Sequence, residues 1–487
     1  MAVRNTNRCH TPIPDGEPYV FDNRVYVYGS HDRFNGPFFC MNDYVCWSTP
    51  IDNLKEWRYE GVIYKKTQDP MNRKGRHSLY APDVVKGLDG RYYLYYAFGF
   101  LGVMAVAVSN TPAGKYEFYG HIHFMYGKIW GRTSGDTFAF DPGVLVDDDG
   151  RVYLYSGFAP KVEIPAVATG FRKHAMEGGY VIELETDMVT IKEAPKLIFN
   201  KAGKAAGTGF GNHEFFEASS MRKIKNKYYY IYSSVHNHEL CYATSNSPVG
   251  GFKYGGTIIS NGDLFLNGNS DEKHAYNYIG NNHGSIVEVN GQCYVFYHRH
   301  TNRHSYSRQA CAEQITIEEN GTIKQVEMTS CGLNGGPLAG VGRYETYIAC
   351  NLMSKNGTGR YDKILSRLAL LKHPYFTQEG KDREDNPNQY IANFRSGSIA
   401  GFKYFDIKDV KKISIGIRGK AEGQVIVTNS LESKEPAVRI DITPCNKVSK
   451  FEAAVNLSNG KQALYFHFCG KGSFDFFTFE LIVGEDF

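Results

Sequence analysis

One short hairpin recurs five times along this chain, and that recurrence limits its fold more than any other feature. The second strand of each copy is aromatic and alternating: "RVYVYGS" (24–30), "RYYLYYA" (91–97), "RVYLYSG" (151–157), "KYYYIYSS" (227–234) and "QCYVFYH" (292–298). Each follows a turn tripeptide, "FDN", "LDG", "DDG", "IKN" or "VNG". Asn, Asp and Gly accept the left-handed backbone of tight hairpin turns. Successive copies start 67, 60, 76 and 65 residues apart. No single copy can bury a core, so the copies must pack on one another, and radial packing predicts a five-bladed β-propeller. The spacing exceeds the roughly 40–50 residues of common blades, and the surplus falls in loops, where such folds carry function.

Composition agrees with an all-β chain: aromatics make up 14% of 487 residues, with 35 Tyr, 31 Phe and 51 Gly. The best helical stretch, "LSRLALLK" (365–372), is short. A net charge of +4 without a basic run gives no footprint for nucleic acid or an acidic membrane surface. No apolar run reaches the roughly 18 residues of a membrane span. The ten Cys are scattered without metal-finger spacing. Together with an N-terminus lacking a signal-peptide core, they predict reduced thiols in a cytoplasmic protein. The alternative is a secreted mature form whose signal has been removed.

The residue 8 to 10 positions before each aromatic strand is polar: Asp15, Asp83, Asp141, Glu217 and His283. In a propeller the first strand of each blade lines the central channel, so these five are expected to converge on one axis. An Asp ahead of a strand often only closes a turn, but turns do not demand four acids and a histidine in register. Carboxylates gathered at a channel mouth suit glycosidic bond cleavage, in which one acid protonates the leaving oxygen and another activates water. A third nearby carboxylate can hold the proton donor's pKa up.

The strings "PDGEPYVFDNRVYVYGSHD", "FDPGVLVDDDGRVYLYSG", "FFEASSMRKIKNKYYYIYSS" and "NNHGSIVEVNGQCYVFYH" together resemble glycoside hydrolase family 43, over residues 10–340. The resemblance implies an inverting Asp, Asp, Glu site on a five-bladed propeller. It makes Asp15 the general base, Asp141 the acid that tunes and orients the proton donor, and Glu217 the general acid. His283 matches a channel histidine beside a calcium ion held through water, and Arg308 resembles an arginine that contacts the sugar. Asp83 is then a channel-lining residue on the substrate side. Glu17 remains a rival to Asp15, and Glu214 to Glu217. For inversion the base and acid are expected about 6.5–9.5 Å apart.

Among the aromatics, Tyr80 and Phe140 are candidates to stack on sugar, and Phe215, Phe216 and Trp130 are further ones. "VDDDG" (146–150) reads as a solvated turn rather than a calcium loop, "NHEFFE" is not the HExxH zinc pattern, and "GKAAGTGFG" (203–211) is a flexible loop.

The repeat stops near residue 340. Beyond a mixed segment containing "REDNPNQY" (383–390), alternating runs such as "KKISIGIRG", "GQVIVTN", "QALYFHF" and "FTFELIV" predict a β-sandwich over 341–487, after a propeller over 1–340. In pattern it is similar to a jelly-roll carbohydrate-binding module of the family 6 kind. The expected activity is exo-acting release of α-L-arabinofuranose from plant cell-wall oligosaccharides. β-D-Xylosidase action and a sugar-binding propeller without turnover are the alternatives.

Overall fold

The computed structural model describes residues 13–484, apart from 100, 163, 165–168, 170, 267, 381–387 and 434. All five aromatic strands form, and each pairs antiparallel with the strand before it. Three of the turns are two-residue hairpins with both central residues at positive φ: Asp22 and Asn23, Lys225 and Asn226, Asn290 and Gly291. That backbone matches the twist of the flanking strands.

Five sheets result. The first four begin at Glu17–Phe21, Asp83–Lys86, Gly143–Val146 and Phe215–Ile224 and carry at least four strands each. The fifth has three strands: Ser285–Val289, Gln292–His300 and Arg308–Ile315. A parallel bridge between Gly16 and Gly284 joins the first blade to the fifth and closes the ring.

Strand alternation explains why the aromatic strands are apolar on both faces. In the second blade, Tyr92, Leu94 and Tyr96 pack into the gap toward blade one, and Tyr93 and Tyr95 into the gap toward blade three. In the fourth, Tyr228, Tyr230 and Tyr232 face blade three, while Tyr229 and Ile231 face blade five. Val25 and Val27 meet Val287 and Phe296 in the last gap. Each large side chain so buried is worth about 1.5–3 kcal/mol. Tyrosine is usable there because its hydroxyl finds a partner: Tyr28 donates to the Pro112 carbonyl (2.7 Å), Tyr95 to that of Met188 (2.7 Å) and Tyr155 to that of Pro248 (2.9 Å).

The C-terminal part is a β-sandwich of two six-stranded sheets around a Phe- and Ile-rich core. Its sheets draw their first strands from Leu338–Ala339 and Gly342–Glu345. Residues 383–387 of the mixed segment lie outside the described residues, and Gln389–Arg395 is a strand. The sandwich is keyed into the propeller. Arg299 of blade five donates to the Ala349 carbonyl at 2.7 Å and lies over the Phe376 ring at 3.8 Å. Lys403 reaches Asp263 at 3.2 Å and Glu327 at 2.8 Å. "LSRLALLK" forms a short α-helix, Ile364–Ala369, followed by a 3-10 turn, Leu370–Lys372. Among the described residues no helix is long and apolar enough to cross a membrane.

Candidate active site

The strand register fixes which residues reach the channel mouth. Glu17 pairs with Tyr28, Asp83 with Tyr95, Gly143 with Tyr155, Ser220 with Ile231 and Ser285 with Phe296. These partners occupy the same place in all five aromatic strands. Asp15, Asp141 and His283 each stand two residues ahead of that layer. In the fourth blade a double irregularity around Glu217 interrupts the ladder, and such bulges re-aim a side chain. Asp15 (φ 59°), Asp141 (φ 43°) and Ala218 (φ 68°) all hold left-handed backbone, a conformation that costs of order 1 kcal/mol or more for non-glycine residues and clusters at functional sites.

Asp15, Asp141, Glu217, His283, Arg308, Tyr80 and Phe140 line one cavity of about 190 Å³. The structure adds Phe39, Phe158, Asn237, Asn281, Ser305 and Asp362 to the lining. Phe216 lines it as well, whereas Phe215 and Trp130 are core residues, each 1% exposed. Tyr80, Phe140, Phe158 and Phe216 form a continuous aromatic wall, with successive ring centroids 5.5, 4.9 and 5.4 Å apart.

Asp83 departs from expectation. It belongs to the deeper layer, fully buried, accepting from the Tyr19 hydroxyl and the Val144 N–H, each at 2.7 Å. Ala81 takes the second blade's place in the lining. Asp83 is therefore not among the residues that line the cavity. Glu17, the rival base, lies in the same deeper layer, bonded to Arg222 at 2.6 Å and to Ser220 at 3.0 Å. Arg222 also donates to Tyr19 and to the Ile286 carbonyl. This network plugs the axis below the cavity. Glu214 is not among the lining residues.

Around the acids the electrostatics are asymmetric. Arg308 donates to Asp15 at 2.8 Å; its guanidinium also donates to Asp32 at 2.9 and 3.1 Å and to Cys40 Sγ at 3.2 Å, and its backbone N–H to Asp32 at 3.1 Å. The guanidinium is thus clamped as the counter-charge of Asp15, a tighter role than the free sugar contact the sequence suggests. Asp32, the anchor of that clamp, was invisible in the hairpin pattern. The Glu217 carboxyl has no hydrogen-bond partner among the described residues. Burial, then the charge of Asp15, push its carboxyl up to about 8, with Arg308 opposing. Asp141 is also held well above the usual range, first by burial and then by Glu217 and Asp15. One of its oxygens accepts the Ala218 N–H at 3.2 Å, the peptide next to Glu217.

The histidines here are neutral. Burial brings His283 down to about 4 and His298 well below its ordinary value. His298 accepts the Asp15 N–H through Nδ1 (3.2 Å) and, with Nε2 2.9 Å from the Asn281 carbonyl, fixes the backbone that carries Asp15. His283 Nδ1 stands 3.8 Å from Asp15 and 3.7 Å from Asp141, too far for hydrogen bonds.

Elsewhere, His213, Glu239 and Cys241 bring metal-ligand atoms within 4.8 Å of one another. Glu239 is already satisfied by His213 (2.7 Å), Thr257 (2.7 Å) and Ser234, bonds that hold it down at about 2 against the cost of its burial. Asp147 of "VDDDG" is likewise used, bridged to Lys223 at 2.6 Å.

Residues 19–323 match the family model of glycosyl hydrolases family 43. The chain belongs to that family. It is a glycoside hydrolase, and the matched span is the propeller with its five aromatic strands. A xylosidase/arabinosidase of Thermoclostridium stercorarium is 50% identical over 469 residues, covering 96% of both chains. Among solved structures, a β-xylosidase/α-arabinofuranosidase from a compost metagenome, in complex with xylotriose and described as a calcium-free form, is 27% identical (TM-score 0.50) and covers 65% of this chain and 95% of its own. An arabinoxylan arabinofuranohydrolase of Bacillus subtilis, 20% identical with a TM-score of 0.50, shares the fold over 99% of this chain and 97% of its own.

Proposed function

We propose that this enzyme is an exo-acting, inverting glycosidase that releases a terminal pentose, α-L-arabinofuranose first, from arabinoxylan- or arabinan-derived oligosaccharides. The observation that carries the proposal is the pairing of a protonated Glu217 with a counter-charged Asp15 in a cavity sized for a single sugar. Glu217 donates its proton to the glycosidic oxygen as the bond breaks. Asp15, paired with Arg308 at 2.8 Å, takes a proton from the water that attacks the anomeric carbon from the other face. Asp141 orients the Ala218 peptide and so the acid that precedes it. The axial plug of Glu17, Arg222 and Ser220 closes the pocket behind the sugar, which supports terminal rather than internal cleavage. β-D-Xylosidase action is the second reading, favoured by the double name of the T. stercorarium relative.

Calcium is part of the same proposal. His283 Nε2 and Glu17 Oε1 are buried, lack hydrogen-bond partners and stand 3.8 Å apart. Calcium prefers oxygen ligands at 2.3–2.6 Å, and the carboxylates around His283 do not close on a single point. The donor set therefore fits an ion held mainly through water, with His283 and Glu17 nearest. Bound there, it would supply positive charge near Asp15 and Asp141, which lie 3.8 and 3.7 Å from His283.

Side-by-side assays on 4-nitrophenyl α-L-arabinofuranoside and β-D-xylopyranoside decide the sugar, and proton NMR of the first-formed anomer decides the stereochemistry. A product of retained configuration removes Asp15 from the base role. Turnover of neither glycoside removes the proposed activity.

A further inference from the structure

Asp362 lines the cavity although it lies beyond the propeller repeat, on the segment that follows the sandwich strand Asn351–Met353. The segment is stitched to a propeller loop. Ile279 N–H donates to the Gly359 carbonyl (3.1 Å), Tyr361 N–H to that of Ile279 (2.9 Å), and the Tyr278 and Tyr361 rings stack at 4.9 Å. Arg360 fixes the carboxylate itself, donating to its two oxygens at 3.0 and 2.8 Å. Arg360 is in turn anchored on Glu272 at 2.7 Å and on the His236 carbonyl at 3.3 Å.

A carboxylate offers about four acceptor positions; Arg360 uses two and the Asn237 amide a third, which leaves one open. Asn237, on a turn of the fourth blade with φ 70°, sits beside it, its Nδ2 3.5 Å from Asp362. Asn237 lines the cavity, and its buried Oδ1 has no hydrogen-bond partner. Leaving such an acceptor unsatisfied costs about 1–3 kcal/mol unless something binds there. Two acceptors side by side, one ionised and one orphaned, suit donors from sugar hydroxyls. The cavity also holds the three acids, and its size admits one ring. Donors reaching Asn237 and Asp362 therefore belong to the same sugar whose glycosidic bond the acids act on.

We infer that Asn237 and Asp362 form a hydroxyl-binding subsite for the glycone, with Asp362 contributed by the C-terminal module and positioned by Arg360. The sandwich thus completes the active site and takes part in choosing the sugar. This rests on the glycosidase reading above.

The test pairs enzyme and substrate deletions. Asp362→Asn, nearly isosteric, is compared with the wild type on 4-nitrophenyl pentosides carrying the full glycone and on analogues each lacking one hydroxyl. The expected loss in kcat/KM on the full glycone is about 10- to 100-fold, the size of a lost hydrogen bond to a charged group. That loss shrinks to less than about threefold on the one deoxy analogue missing the bound hydroxyl. Asn237→Ala gives the same selectivity for that hydroxyl or its neighbour. Equal loss on every analogue, or no loss on any, overturns the subsite. Should the wild type turn over no pentoside, the glycosidase reading fails separately. Titration of L-arabinose and D-xylose into Glu217→Gln and into Glu217→Gln/Asp362→Asn then still decides: weaker binding by the double variant supports the subsite, and equal binding or none overturns it.

Discussion

The protonation of Glu217 makes the sharpest demand on experiment. An ordinary glutamic acid at 4.5 is almost fully ionised at pH 7, whereas a group held at about 8 is about 90% protonated. The cavity therefore supplies about 300-fold more of the proton-bearing form at neutral pH than a solvated glutamate would. Since catalysis needs the protonated form, activity is present below the pKa and lost as pH rises through it. The profile of kcat/KM should stay level to about pH 7, halve near 8 and fall about tenfold per unit beyond. Glu217→Gln removes this alkaline limb. It also costs about 100- to 10,000-fold with a poorly departing phenol, and far less with a dinitrophenolate that leaves without a proton. Stopped-time assays over pH 5–10 with both leaving groups measure all of this. A limb already falling at pH 6, or one unchanged in Glu217→Gln, would refute the assignment of the acid.

Asp15→Asn should lose at least about 100-fold whatever the leaving group, because water still needs its base; recovery with dinitrophenolate would move the base elsewhere. Asp32→Asn loosens the clamp on Arg308, and leaving that buried guanidinium without this partner costs about 3–5 kcal/mol, so thermal unfolding should drop by several degrees together with activity, and an unchanged melt would show the clamp to be unimportant. Glu239 is depressed to about 2 from 4.5, so its contribution, about 3 kcal/mol, is complete above pH 4.5 and drains away as pH falls toward 2. Denaturant melts at pH 5 and 3 should show a smaller acid loss in Glu239→Gln than in the wild type. Chelator treatment followed by added calcium should lower and restore activity or melting temperature, and indifference to both removes the ion.

The fold was legible because its signal is redundant. Five copies of turn plus aromatic strand cannot be satisfied by anything but mutual packing, and the alternation of Tyr92, Leu94 and Tyr96 against Tyr93 and Tyr95 already encodes two buried faces. The sandwich strands carried the same period-2 pattern. What the pattern hid was the interlock: a buried Lys403 bonded to Asp263 and Glu327 looks in sequence like any charge on a strand.

The site was legible only where the backbone repeats. Asp15, Asp141 and His283 fall at matching places because the first strand of each blade enters the channel in the same way. Asp83 misled because its offset to the aromatic strand is one or two residues shorter, which puts it a layer deeper, beside Tyr19 and the Val144 amide. Glu217 kept its place only through a bulge, which sequence does not announce. Asp32 and Asn237 lie on the connections between the second and third strands of blades one and four, which differ in length and sequence from blade to blade, and Asp362 lies beyond the blades. The repeat therefore places the acids around a common axis, while residues outside it complete the lining of the cavity. A loop that reaches the cavity from the sandwich can alter sugar choice without touching the blades, so specificity here can change by substitution at Asp362 or Arg360 while Asp15, Asp141 and Glu217 stay fixed.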